Sequence, residues 1–269
     1  VKTAIVNGNS QHCKEFLDFG FDKKMVFALE NQKNYSSQIS HISYLLSATN
    51  VEANKYGLTF KVGEREFGPR LFGSHNIMNI LAAMSVLRAL DVSWSVIEKA
   101  VNDLKAPPGR IEFIAESESK GFKVIVDYAF EPVALSALYK VVDLLKPKRV
   151  IHVCGSTGGG RDKARREPIG RFVGEKADIF IVTDEDPYDE DPMEIIKSVS
   201  AGAQEAGKKL GKDLFEVLDR KEAIKKALEM AKAGGLVLIT GKGSEQAMCI
   251  SGGKMIPWDD RKIAREMIK

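Results

Sequence analysis

From residue 111 onward the sequence switches repeatedly between two periods. Short apolar runs at 111–115, 122–127, 149–154, 178–183 and 235–240, with a weaker one at 214–218, read as strands. Between and after them, 132–145, 166–176, 192–207, 220–233 and 259–268 carry apolar residues at helical spacing. Apolar strands that alternate with amphipathic helices belong to mostly parallel sheets covered on both faces, so the pattern predicts an α/β fold. Ligands of such sheets bind beyond the carboxyl ends of the strands. Three loops of unusual composition fall there: "GSTGGGRDK" (155–163), "DEDPYDEDP" (184–192) and "GKGSEQ" (241–246). The pattern places all three on one edge of the sheet.

The first hundred residues read differently. "TAIVN" (3–7) and "MVFAL" (25–29) are short buried strands, followed by a polar, weakly periodic stretch. Residues 57–73 alternate like a hairpin with its turn near Gly63-Glu64. From Asn76 a helix sets Ile77, Ile80, Leu81, Met84, Leu87 and Leu90 on one face. A second helix over 94–104 turns Val96, Ile97, Ala100, Val101 and Leu104 inward. "KAPPGR" (105–110) then breaks the pattern, and its two prolines and glycine divide a domain 1–106 from a domain 107–269.

Composition excludes several classes. With 44% hydrophobic and 29% charged residues the chain is in the globular range. A net charge of +3, with Lys and Arg spread along the chain, gives no reason to expect a nucleic acid or an anionic membrane as partner. No apolar run approaches the ~20 residues of a membrane span, and no signal peptide is visible. Cys13, Cys154 and Cys249 form no CxxC pair and no zinc spacing, and His12, His41, His75 and His152 are scattered. The expectation is a cytoplasmic, monomeric protein with reduced thiols and no metal ligands of its own. The chain opens on Val1 rather than Met, which suggests a piece of a longer protein.

Each loop has a plain reading beside its functional one. "GSTGGGRDK" lacks the GK[ST] ending of a phosphate-binding loop and the spacing of a dinucleotide fingerprint, which argues against an oxidoreductase. It is either a flexible turn or a site where Arg161 grips a carboxylate bidentately. Asp127, in "VDYAFEP", is a helix-entry cap or an acceptor for ribose hydroxyls or a cation. Asn76 and Asn79, one turn apart in "GSHNIMN", cap a helix or read an adenine edge. Arg110, in "PPGRIE", is a surface residue or reaches a phosphate when domains close. The acids of 184–192 are a solvated loop or hold an ammonium group or a metal, and "GKGSE" is a plain tight turn or part of a site.

Singly these motifs are weak, but their order is specific. "GSHNIMNILAA", "PPGRIE", "VDYAFEPVAL", "GGGRDKARREPIG", "TDEDPYDEDP" and "GKGSE" together resemble the C-terminal half of a Mur ligase, nearest the MurE type, UDP-N-acetylmuramoyl-tripeptide synthetases. The resemblance runs from about Thr3 to the last residue. It implies the end of a central ATPase domain, truncated, followed by a Rossmann-like C-terminal domain. It also implies a reaction in peptidoglycan precursor synthesis. ATP with Mg²⁺ converts a carboxylate of a UDP-muramoyl dipeptide into an acyl phosphate, which an amino acid's amine attacks. By resemblance Asn76, Asn79, Arg110, Asp127 and Tyr128 are on the ATP side. Arg161, Asp186, Tyr188, Gly241 and Glu245 are on the amino-acid side.

Three departures matter. The family's "DYAHTP" has Phe130 and Glu131 in place of His and Thr. Its diaminopimelate pattern "DNPR" has Asp186 for Asn and Tyr188 for Arg. Its "GKGHE" reads "GKGSE". Without the second arginine, an acidic pocket favours an amino acid ending in a cation, such as lysine. No GTxGKT loop is present, so the chain alone is expected not to phosphorylate anything, and no catalytic residue is assigned to it. The rival readings are a related amide ligase such as folylpolyglutamate synthase, or a non-catalytic amino-acid- or nucleotide-binding module.

Overall fold

Parallel strands cannot be joined by tight hairpins, so a chain of parallel strands must spend residues on crossovers, which here are helices. A computed structural model describes residues 1–30 and 42–268, which fall into two compact units, Val1–Ala106 and Pro107–Lys269. His41 and part of the polar stretch lie outside the described residues.

The first unit carries a five-stranded sheet in the order β1-β2-β3-β4-β5. Its strands are β1 (Thr3–Asn7), β2 (Lys23–Leu29), β3 (Tyr44–Asn54), β4 (Gly57–Val62) and β5 (Arg65–Phe67). The first three run parallel, and β3, β4 and β5 are antiparallel to one another in turn. Helix α1 (Cys13–Leu17) follows β1, and α2 (His75–Ala89) and α3 (Trp94–Asn102) close the unit. Its core joins Leu46, Phe60 and Phe67 of the sheet to Ile77, Leu81 and Met84 of α2 and Ile97 of α3. The rings of Phe60 and Phe67 stack at 5.1 Å. The hairpin expected at Gly63 is β4–β5. Strand β3 and the single turn of α1 were not expected, and four residues assigned inward are exposed: Leu90 (69%), just past the end of α2, Val96 (57%), Ala100 and Leu104 (38%).

The second unit is the α/β layer the sequence pattern predicts. Its strands are β6 (Glu112–Phe113), β7 (Lys123–Val126), β8 (Val150–Cys154), β9 (Ile179–Thr183), β10 (Leu214–Val217) and β11 (Leu236–Ile239), in the spatial order β10-β9-β8-β11-β7-β6. All pair in parallel except the two-residue β6. Helices α4 (Pro132–Leu145), α5 (Arg166–Lys176), α6 (Pro192–Glu205), α7 (Arg220–Met230) and α8 (Asp260–Ile268) accompany them. The starts of two helices are encoded locally: Asp191 accepts from Met193 N ahead of α6, and Asp219 accepts from Glu222 N ahead of α7. Pro132 and Pro192 occupy first-turn positions where no amide hydrogen is needed. A hairpin of β12 (Ala247–Ile250) and β13 (Lys254–Pro257), absent from the sequence reading, stands beside the sheet edge.

Candidate functional site

The parallel register sends the loops after β7, β8, β9 and β11 to one edge of the sheet. They enclose a cleft of about 130 Å³. Tyr128 and Phe130 line it from the first loop, Thr157, Arg161 and Arg165 from the second, Glu185, Asp186 and Tyr188 from the third, and Gly241 and Glu245 from the fourth. A larger groove of about 480 Å³ beside Phe122 and Met267 lies by the start of β7, away from the strand ends, and lacks this convergence of charged groups.

The bare backbone of "GSTGGG" has a packing cause. Gly158 donates its N–H to Asp186 O at 2.9 Å, and a Cβ on Gly158 would overlap the carbonyl of Pro187. The third loop therefore lies directly on the second. Asp162 caps the turn that follows by accepting from Ala164 N, and Arg161 is left exposed at the mouth of the cleft.

The acid run after β9 is divided by position. Asp191 caps α6, Glu190 pairs with Lys163 and Arg166, and Asp189 accepts from Ser251 Oγ and Gly252 N. Lys163 and then Arg166 hold the Glu190 carboxyl down to about 2. Only Glu185 and Asp186 turn into the cleft. Glu185 is 2% exposed, with Thr157 Oγ1 at 3.3 Å from one oxygen and Gly155 N at 3.4 Å from the other. Burial pushes its carboxyl up to about 7, with Arg220 pulling the other way. Gly241 has φ +105°, and any side chain there would collide with the Glu185 carboxylate.

Asp186 is clamped. Lys242 Nζ lies 2.8 and 2.7 Å from its two oxygens, and Cys249 N donates to it at 2.7 Å. The same ammonium reaches Glu245 Oε2 at 2.6 Å. Tyr128 Oη donates to Glu245 Oε1 at 2.8 Å, and burial together with that carboxylate pushes the phenol up to about 12. The guanidinium of Arg110 stacks 4.2 Å from the Tyr128 ring. Asp127 spends both oxygens on backbone donors, Ile111 N at 2.7 Å and Ala129 N at 2.8 Å. Phe130 and Glu131, the two departures from "DYAHTP", both hold Arg165: its guanidinium lies 5.4 Å from the Phe130 ring and 2.8 Å from Glu131 Oε1.

The structure thus brings Tyr128, Arg161, Asp186, Tyr188, Gly241 and Glu245 to one cleft, with Arg110 and Asp127 adjoining Tyr128. Asn76 and Asn79 belong to the first unit, at the start of α2. Asn76 Nδ2 donates to Phe72 O at 2.7 Å and Asn79 Nδ2 to Asn76 Oδ1 at 3.1 Å.

Sequence reasoning missed the layer beneath. Arg220 is fully buried, pairs with Asp260 through two hydrogen bonds (2.9 and 2.7 Å), and donates to Asp184 O and Thr240 O. Trp258 Nε1 also donates to Asp260. His152, on the central strand, bridges Tyr139 Oη and Thr240 Oγ1 and is held neutral, since burial and then Arg220 push it down to about 3. Nothing in the spacing of Arg220 and Asp260, 40 residues apart, announces the pair.

A covered, mostly parallel sheet with a polar cleft at its carboxyl edge defines an α/β unit of the kind whose ligands bind at that edge. Residues 109–243 match the family model "Mur ligase, glutamate ligase domain", and the chain belongs to the Mur ligase family. It is 34% identical over 273 residues to a UDP-N-acetylmuramyl-tripeptide synthetase of Roseiflexus sp. (strain RS-1), covering 99% of this chain and 51% of that protein. It is 36% identical over 217 residues to a UDP-N-acetylmuramoyl-L-alanyl-D-glutamate--2,6-diaminopimelate ligase of Geobacillus kaustophilus (strain HTA426), covering 79% of this chain and 43% of that one. A solved structure of a ligase of the latter name superposes with a TM-score of 0.60 at 25% identity, covering 99% of this chain and 53% of that one. The chain spans about half the length of the curated relatives it matches.

Proposed function

We propose that this chain supplies the amino-acid-selecting part of an ATP-dependent acid–amino acid ligase of peptidoglycan precursor synthesis. In this reading the ligase works in the cytoplasm and adds lysine to a UDP-N-acetylmuramoyl dipeptide. The observation that carries the reading is the mixed polarity of the cleft, which is lined by an exposed guanidinium, Arg161, in contact with the Tyr188 phenol, and by the carboxylates of Glu185, Asp186 and Glu245. An amino acid placed in it gives its α-carboxylate to Arg161. Gly241 and Glu245 hold the far end of its side chain, and Asp186 shapes that end. Tyr188 stands where a second carboxylate reader would be needed for diaminopimelate, and its phenol offers no charge to a carboxylate, so a terminal ammonium is preferred.

Arg110, Asp127 and Tyr128 face the nucleotide, and Asn76 and Asn79 its adenine. The stacked, exposed Arg110 suits a phosphate. Asp127 does its part indirectly, by fixing the backbone at Ile111. ATP, when bound, would transfer its γ-phosphoryl group to the acceptor carboxylate to give an acyl phosphate and ADP, and Mg²⁺ would accompany it. Among the described residues no group of three His, Cys, Asp or Glu could hold a metal ion.

Phosphate release by the full-length polypeptide carrying this chain, with UDP-muramoyl dipeptide and MgATP, tests the reading. A panel of lysine, ornithine, diaminopimelate, glutamate and alanine is expected to give release that depends on lysine. Diaminopimelate used at least as well overturns the lysine assignment, and release with none of them overturns the ligase.

A further inference from the structure

Lys242 is locked against Asp186 and Glu245, two acids of the cleft, and it does not line the cleft itself. Its side chain is 1% exposed, beneath Asp186 and Glu245, which do line it. The three hydrogens of its ammonium match three carboxylate oxygens, both of Asp186 and one of Glu245, at 2.6 to 2.8 Å. Burial opposes its charge, but the two carboxylates outweigh that and hold it protonated. Asp186 is engaged three times over, counting Cys249 N, in a left-handed backbone conformation (φ +49°). Glu245 keeps more freedom, being 37% exposed.

We propose that Lys242 is a positioning residue that sets the specificity of this cleft. Its ammonium cancels one of the two charges of Asp186 and Glu245, leaves one charge of that pair, beside the buried Glu185, for a ligand's ammonium, and makes Glu245 the reader and Asp186 its scaffold. This rests on the amino-acid reading of the cleft. The two carboxylates divide the work. Asp186 orders the third and fourth loops through Lys242, and Glu245, tied to Tyr128, meets the ligand. It also explains why an acidic cleft is selective for one cation rather than attractive to any.

The test compares lysine with norleucine, its neutral isostere, by calorimetry on the whole chain. The wild type is expected to prefer lysine. In Lys242→Met the unmatched acid pair raises the lysine-to-norleucine affinity ratio about tenfold, and in Asp186→Asn the excess cation lowers it about tenfold. Equal weakening of both ligands in Lys242→Met overturns the proposal and leaves the lysine a purely structural role. Should Lys242→Met not fold, Asp186→Asn decides, and an unchanged ratio there overturns it. n-Butylammonium probes the charge without the amino-acid reading: it binds Lys242→Met and not the wild type. A wild type that binds neither amino acid overturns the reading of the cleft. Butylammonium bound equally by both forms, or by neither, overturns the role of Lys242.

Discussion

The two units bury the same kind of apolar core and differ in what else they bury. Among the described residues of Val1–Ala106 the sole buried polar side chain is Ser85, whose hydroxyl satisfies itself on Leu81 O. In Pro107–Lys269 the buried set includes Asp127, His152, Glu185, Asp186, Arg220, Lys242 and Asp260. Burying a charge costs several kcal/mol unless it is paired and hydrogen-bonded. Among the described residues, the chain bears that cost in its second unit and not in its first.

Each unit holds one tryptophan, Trp94 and Trp258, so the contrast can be followed optically. The largest effect is expected from Arg220→Ala, which leaves Asp260 charged and unpaired. The transition reported by Trp258 in urea should lose about 3–5 kcal/mol. A loss under 1 kcal/mol would mean that the buried pair is not the keystone of the second unit. Leu81→Ala is the apolar counterpart in the first unit, where a cavity costs about 2–4 kcal/mol, read through Trp94. If both tryptophans report one shared transition for either variant, the units unfold together and the comparison holds only for their contents.

Titration sharpens the contrast further. His152 stays neutral in the fold to about pH 3 but protonates near 6.5 when unfolded, so acid removes stability from about pH 6.5 downward. Glu185 and Asp184, raised to about 7 and 6 by burial, take up protons in the fold before the unfolded chain does. They add stability as pH falls from about 7 toward 4.5, and partly mask the histidine. Glu185→Gln should therefore steepen the acid loss of the second unit by about 2 kcal/mol between pH 7 and 4.5. An unchanged slope would show that the carboxyl titrates normally. The smallest effect is expected from Tyr128→Phe, which removes the hydroxyl held by Glu245 for about 1 kcal/mol in the same urea assay. A loss above about 3 kcal/mol would show that this hydroxyl is part of the structural layer under the cleft.

What the sequence disclosed follows the same division. The second unit was legible because β8 and β9 are buried at every position and their helices keep a clean period. In the first, β3 buries only Leu46 and Ala48 of eleven residues, and the one strand pair missed in the second includes β13, which buries none of four, so neither strand carries an alternation to read. Arg161, Asp186, Tyr188, Gly241 and Glu245 were legible because loop position and composition are local properties, whereas Thr157, Arg165 and Glu185, which line the same cleft, were passed over. Arg220, Asp260 and His152 were not, because their roles come from the pairing of distant elements, and a lone buried charge looks like any surface residue in a string. The glycines of 155–160 were read as room for a ligand. Much of that room is taken by the neighbouring loop.

The Arg220–Asp260 pair also has a consequence for the order of events during synthesis. Arg220 steadies the carbonyls of Asp184 and Thr240, and Arg220 is itself held by a carboxylate near the far end of the chain. A ribosome adding 5–20 residues per second takes roughly 5–20 s to pass from Gly155 to Asp260. For that interval the glycine-rich loop and the acidic loop exist without the ion pair that fixes their neighbours. The nascent chain can collapse its sheet early, but the buried ion pair beneath the cleft forms only once α8 is out, so a stalled product has a packed sheet without the pair that fixes its loops.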